Sequence, residues 1–160
     1  MRASVGDRVP SATFMTMVEG TPTVLTTEEV FRGRRVAVFG LPGAYTPVCS
    51  NQHLPGFVAG ASQLLAKEID AVACVSMNDP FVMAAWGKEH GADEIMMLAD
   101  PKGEFTRGMG LAVDLSEYGL GQRSERYSMI VQDGTIRVLN VETSILDHGP
   151  SSCQTLLGQA

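Results

Sequence analysis

The sequence predicts an α/β sandwich, a mixed central β-sheet covered by helices, and three observations carry that expectation. Two nearly unbroken apolar runs, Val36-Ala-Val-Phe39 and Ile69-Asp-Ala-Val-Ala-Cys-Val75, read as strands buried on both faces. Between them apolar residues recur at helical spacing, which makes a strand–helix–strand crossover and hence a parallel pair. Towards the C-terminus Arg126-Tyr-Ser-Met-Ile-Val-Gln132 and Thr135-Ile-Arg-Val-Leu-Asn140 flank Asp133-Gly134, the clearest hairpin signal, and add antiparallel strands to the parallel ones.

Taken in order, Val24-Leu25 is the first strand candidate, and Arg32, Arg34 and Arg35 form a solvated turn before the strand at Val36. From about Cys49 to Lys67, Leu54, Phe57, Val58, Ala61, Leu64 and Leu65 mark one helical face, with a kink or break expected at Pro55-Gly56. Asp79 caps a helix that opens on Pro80 and runs to about His90, where Gly91 ends it. Ile95 to Leu98 is a short strand, Asp100 to Gly103 a turn and Glu104 to Met109 a helical turn; a last helix is expected from about Ser151 to Gln159. No repeat or linker interrupts the 160 residues, so one domain spanning 1–160 is expected.

Composition excludes several classes of function. A net charge of −6 with no basic cluster disfavours binding to nucleic acid. No stretch approaches the roughly 20 apolar residues that span a bilayer, so no membrane partner is expected. The N-terminal Met1-Arg-Ala-Ser-Val has neither the apolar core of a signal peptide nor transit-peptide character, and a cytoplasmic location is expected. Three cysteines without a C-x-x-C do not describe a disulfide scaffold. Cys49, Cys74, Cys153 and the histidines 53, 90 and 148 lack the paired spacings of structural zinc, so neither metal nor cofactor is expected.

The chemistry concentrates in Leu41-Pro-Gly-Ala-Tyr-Thr-Pro-Val-Cys-Ser50, which follows a core strand and precedes a helix. Unpaired N–H groups and the positive end of the helix dipole at such a junction favour a thiolate at Cys49. Pro42 and Pro47 stiffen the loop, Gly43 permits an unusual backbone angle, and Thr46 sets a hydroxyl three positions before the sulfur.

Pro-x3-Thr-x2-Cys after a core strand resembles the active-site loop of the peroxiredoxins, thiol peroxidases of the thioredoxin superfamily. The wording Gly40-Leu-Pro-Gly-Ala-Tyr-Thr-Pro-Val-Cys-Ser50, followed by His53-Leu-Pro-Gly-Phe57, is similar to the peroxiredoxin 5, or type II, subgroup. The likeness continues through Val75-Ser-Met-Asn-Asp-Pro-Phe-Val82, Leu98-Ala-Asp-Pro-Lys-Gly-Glu-Phe105 and Arg126-Tyr-Ser-Met-Ile-Val-Gln-Asp-Gly134. It implies a thioredoxin-like three-layer sandwich, reduction of hydrogen peroxide and organic hydroperoxides through a cysteine sulfenic acid, and a homodimer with the active-site loop near the subunit contact.

On that reading Cys49 is the nucleophile. Thr46 is placed to hydrogen-bond the sulfur and a peroxide oxygen, and the amides of Val48 and Cys49 stabilise developing charge. The resemblance assigns the required cation to Arg126, with Arg123 as the fallback, and Pro42 would shield the sulfur. Phe39, Tyr45, Leu111 and Leu120 are candidates for an apolar mouth, and Leu41, Tyr45 and Phe81 for the subunit contact. His53, four positions after Cys49, is a structural neighbour of the site rather than its base. The sulfenic acid needs a reductant. Cys74 reads as a core residue, Cys153 in polar company is a candidate resolving thiol, and an external thiol such as glutathione, glutaredoxin or thioredoxin is favoured. Two rivals stand beside this reading: a peroxide-sensing binding protein regulated by Cys49 oxidation, and a thioredoxin-like oxidoreductase, weakened by the absent C-x-x-C.

Overall fold

The computed structural model describes residues 1–160. The crossover expected from the two apolar runs is present: β3 (Arg35–Gly40) and β4 (Ala71–Ser76) pair in parallel, and every residue of β4 is buried. β4 starts two residues later than the apolar run, because Asp70 turns its carboxylate to the Arg35 N–H at the end of the ladder. Beyond β4, β5 (Ile95–Ala99) is also parallel, and β1 (Thr13–Val18) and β2 (Thr21–Thr26) continue the sheet as an antiparallel hairpin. On the other side of β3 lie β8 (Tyr127–Gln132) and β9 (Thr135–Val141), both antiparallel. The seven-stranded order β2-β1-β5-β4-β3-β8-β9 is the mixed sheet that the sequence predicts. Asp133 and Gly134, at φ of 47° and 79°, make the tight β8–β9 turn, a conformation that suits this pair of residues.

Alternation along the central strands divides the core between two layers. Ala37, Phe39, Val72 and Cys74 face α2 (Leu54–Leu65), α3 (Pro80–Glu89) and α5 (Cys153–Gln159). Val36, Val38, Ala71, Ala73 and Val75 face α1 (Thr27–Phe31) and α4 (Glu104–Gly108). Helices on both faces of the sheet complete the sandwich.

Several elements depart from the sequence reading. The β1–β2 hairpin turns on Glu19-Gly20, both at positive φ, and Thr26 and Glu29 form a capping box that starts α1. These two signals, X-Gly between apolar runs and T-x-x-E, were available in the sequence. A small hairpin of β6 (Ala112–Asp114) and β7 (Gln122–Ser124) lies apart from the main sheet. The α5 helix starts at Cys153 under a Ser152 cap.

The expected kink at Pro55-Gly56 takes a different form. Residues Cys49–His53 wind as a π-helical turn, in which the Leu54 N–H reaches back to the Cys49 carbonyl, and α2 begins there with Pro55 in its first turn. Proline has no N–H to offer and its ring crowds the carbonyl four residues back. The wider π turn displaces that carbonyl, so the helix passes Pro55 without breaking.

Candidate active site

The C-terminal end of β3 delivers the loop 41–48 and, with it, Cys49 at the start of the π turn. The Ser50 N–H bonds the Thr46 carbonyl at 2.9 Å, the first bond of the helical segment, and the amides of Val48 and Cys49 just inside it have no backbone acceptor. Two aligned N–H groups are therefore open beside the sulfur.

Pairing of Gly40 with Tyr127 places Arg126, one residue before β8, where the 41–48 loop leaves the sheet. Arg126 is only 2% exposed, and its Nη2 donates to Cys49 Sγ at 3.2 Å. Its Nε and Nη2 also donate to the Ile145 carbonyl, at 3.1 and 3.0 Å, and Nη1 donates to His53 Nδ1 at 3.0 Å. No carboxylate pairs with this buried guanidinium. A buried cation without a counter-ion is costly, and among its bonded partners only the sulfur can take a negative charge.

The other guanidinium serves the loop. Arg123 Nη1 donates to the Pro42 carbonyl at 3.3 Å, and its Nε donates to the Leu120 carbonyl at 2.9 Å. A Cβ on Gly43 would lie 2.7 Å from Arg123 Nη1, so a side chain there would displace this guanidinium from the Pro42 carbonyl. The unusual backbone angle falls instead on Tyr45, at φ 67°. Thr46 differs in detail from expectation: its hydroxyl donates to the Gly43 carbonyl at 2.7 Å rather than to the sulfur. With that hydrogen committed, Oγ1 is left as an acceptor for an incoming O–H.

His53 is fully buried, with Nε2 on the Ser151 carbonyl at 3.0 Å and Nδ1 on Arg126. A carbonyl only accepts and a guanidinium only donates, so the hydrogen sits on Nε2. Burial first, then the charges of Arg126 and His148, hold the ring's pKa well below the ordinary histidine value of 6.5. A ring so engaged has no free nitrogen with which to act as a base.

A recess of about 500 Å³ opens over the site, lined by Pro42, Tyr45, Thr46, Pro47, Val48, Tyr118, Leu120, Arg126, Ile145 and Leu146. Tyr45 and Leu120 belong to this mouth as expected, whereas Phe39 and Leu111 are core residues. Phe39 stacks on Phe57 beneath the site, with centroids 4.0 Å apart. A larger recess of about 650 Å³ at the other end of β3, among Arg34, Arg35, Lys67 and Asp70, contains no thiol.

Cys74 lies in β4, and burial first, then the neighbouring Cys49 sulfur, pushes its thiol well up. Cys153, expected in accessible polar surroundings, is buried: its sulfur packs against Gly60 of α2, and burial raises its pKa to about 11. Three supporting residues escaped the sequence reading. Asn78 Oδ1 accepts from the Ala44 N–H at 2.9 Å and from Ser76 Oγ at 2.6 Å, and Trp86 Nε1 donates to Ser50 Oγ at 3.0 Å. Ser76 and Asn78 lie in Val75-Ser-Met-Asn-Asp-Pro-Phe-Val82, which carries the resemblance but supplies no role for either.

Comparison with known proteins agrees with this geometry. A family model described as Redoxin matches residues 4–157. A peroxiredoxin of Synechocystis is 44% identical over 153 residues, covering 90% of this chain and 81% of that protein. The chloroplastic Peroxiredoxin-2E of Arabidopsis thaliana is 45% identical over 144 residues, and the match covers 87% of this chain but only 62% of that relative. Among solved structures, a reduced peroxiredoxin of Vibrio vulnificus in complex with hydrogen peroxide superposes with a TM-score of 0.94. It is 40% identical, and the match covers 98% of each chain.

Proposed function

The chain belongs to the peroxiredoxins of the redoxin family, and on that premise we propose that it is a thiol peroxidase acting on hydrogen peroxide and organic hydroperoxides. One observation carries the reading: the buried Arg126 guanidinium, without a carboxylate, donates to the Cys49 sulfur. The Cys49 thiolate attacks one peroxide oxygen; the S–O bond forms as the O–O bond breaks, and the departing alkoxide or hydroxide takes a proton to leave as alcohol or water. Thr46 Oγ1 accepts from the peroxide O–H, and the Val48 and Cys49 amides with Arg126 stabilise charge on the oxygens. Pro42, buried and lining the recess together with Arg126, would limit access of water. The apolar recess suits the organic portion of an alkyl hydroperoxide.

Regeneration needs two thiols: the first displaces water from the sulfenic acid to give a mixed disulfide, and the second releases Cys49 and a new disulfide. All three thiols are buried and unbridged, and the Cys153 sulfur is packed against Gly60 of α2 rather than beside Cys49, which supports an external reductant such as glutathione, glutaredoxin or thioredoxin. Mass mapping after one equivalent of peroxide and glutathione should find a mixed disulfide on Cys49; a bridge from Cys49 to Cys74 or Cys153 would replace this step with an internal one.

On this reading the 160 residues act as one domain in a compartment that keeps thiols reduced, the cytoplasm being the one proposed. Exposed Tyr45, Tyr118 and Leu146 around the recess, with Phe81 on α3, support a homodimer through this face, whereas Leu41 is buried and does not contribute. Light scattering of the reduced protein tests it. The central test is single-turnover peroxide consumption by Cys49→Ser: rapid consumption disappears, and its retention would overturn the assignment.

A further inference from the structure

We infer that His53 is a positioning residue, whose Nδ1 holds Nη1 of Arg126 so that Nη2 of the same guanidinium stays on the Cys49 sulfur. The inference rests on the peroxidase reading and concerns a residue that acts through Arg126 rather than on the peroxide.

The guanidinium is a planar fork at the end of a flexible stem. One edge is tied by the Ile145 carbonyl, which takes Nε and Nη2. That single acceptor leaves the other edge free to swing, and the group at that edge is His53. Aromatic neighbours fix the ring plane: Phe39 and Phe57 lie at 5.2 and 5.6 Å between centroids, and His148 meets it edge-on at 5.1 Å.

The ring is also tied back to Arg126 through the backbone. His53 Nε2 donates to the Ser151 carbonyl, the Ser151 N–H donates to Glu142 Oε2 at 2.6 Å, and the Glu142 N–H donates to the Arg126 carbonyl at 2.9 Å. With Nη1 on Nδ1, this is a closed circuit that leaves Arg126 by its main chain and returns to its side chain. It joins the π turn, the start of β8 and the segment between β9 and α5. Each bond in it has one allowed direction, so the imidazole can serve only as a neutral acceptor towards Arg126. A protonated ring would turn an N–H against another N–H and set a second cation beside the first.

Substitutions that divide the two nitrogens test the role. His53→Asn keeps an oxygen near the Nδ1 position and loses the link to Ser151; His53→Gln keeps a donor near Nε2 and loses the acceptor; His53→Phe loses both. Stopped-flow measurement of the second-order rate constant with hydrogen peroxide should show Gln and Phe slowed about tenfold or more, the effect of losing one hydrogen bond to a charged group. Asn should remain within a few-fold of the parent. In an Arg126→Lys background, where the Nη1 contact is already gone, His53→Gln should add little.

Equal rates in the Asn and Gln variants, rates that simply track their unfolding midpoints, or additive losses with Arg126→Lys would each overturn the inference. The alkylation rate of Cys49 by iodoacetamide, measured on the same proteins, reads the sulfur without peroxide. A parent protein that consumes no peroxide, yet shows the Asn–Gln difference in alkylation, would sink the peroxidase reading and leave the positioning role standing. Absence of that difference would sink the positioning role alone.

Discussion

At the residue scale, the site sets N–H donors and one hydroxyl acceptor around a sulfur, and Thr46 shows how little freedom each member has. Its hydroxyl hydrogen is spent on the Gly43 carbonyl, which turns Oγ1 into an acceptor aimed by the loop's own backbone. Thr46→Val removes this oxygen at nearly constant volume. The peroxide rate constant should fall about 100-fold, the usual scale for one lost transition-state hydrogen bond, while Thr46→Ser should retain most of it. A valine variant as fast as the parent, measured by stopped flow, would reduce Thr46 to a turn residue. The sequence points to Cys49 and Thr46, and its resemblance chooses Arg126 over Arg123; sheet register supplies the physical reason for that choice. Gly40 opposite Tyr127 brings residue 126 to the sulfur, whereas Arg123 is spent on the Pro42 carbonyl.

At the element scale, what the sequence reveals depends on whether the causes of an element are local. β3, β4 and the β8–β9 hairpin announce themselves through unbroken apolar runs and an Asp-Gly pair, because burial on both faces and positive φ each demand particular residues nearby. The π turn at Cys49–His53 does not, since it reconciles Pro55 with two distant demands, His53 on Ser151 and Cys49 under Arg126. The seating of α5 on α2 was hidden for the same reason. Polar neighbours in sequence suggested an accessible Cys153, but the space left by Gly60 lets its sulfur sink between the helices. A Cβ on Gly60 would collide with that sulfur. Gly60→Ala should therefore destabilise the protein by about 1–3 kcal/mol despite alanine's better helix propensity. In a Cys153→Ala background, the collision is gone and the same substitution should become neutral or stabilising by up to about 1 kcal/mol. Urea unfolding of the four proteins measures the coupling, and strictly additive values would mean that the two helices separate independently of this contact.

At the scale of the whole molecule, one end of the sheet carries the chemistry, and the same arrangement makes folding depend on pH. The buried polar circuit that places Arg126 requires His53 neutral, with a pKa held well below 6.5 by burial first and then by the charges of Arg126 and His148. Unfolding releases the ring to its ordinary value, so below pH 6.5 the unfolded chain binds a proton that the folded chain refuses. The stabilising contribution of a neutral His53 is thus complete above that value. It is lost as the pH falls from there towards the lowered folded value, at a slope approaching about 1.4 kcal/mol per pH unit. His148 is also lowered, by burial and then by Arg126, and adds in the same direction, although its partial exposure makes its share smaller. Urea unfolding at pH 7.5, 6.5 and 5.5 should show the parent losing stability across the lower interval, and His53→Asn, which has no imidazole to titrate, should give a flatter profile over the same range. The difference between the two slopes isolates this histidine from the carboxylates that titrate at lower pH. Parallel profiles would show that the folded protein admits the proton, and that the circuit around Arg126 tolerates a cation where it should require an acceptor.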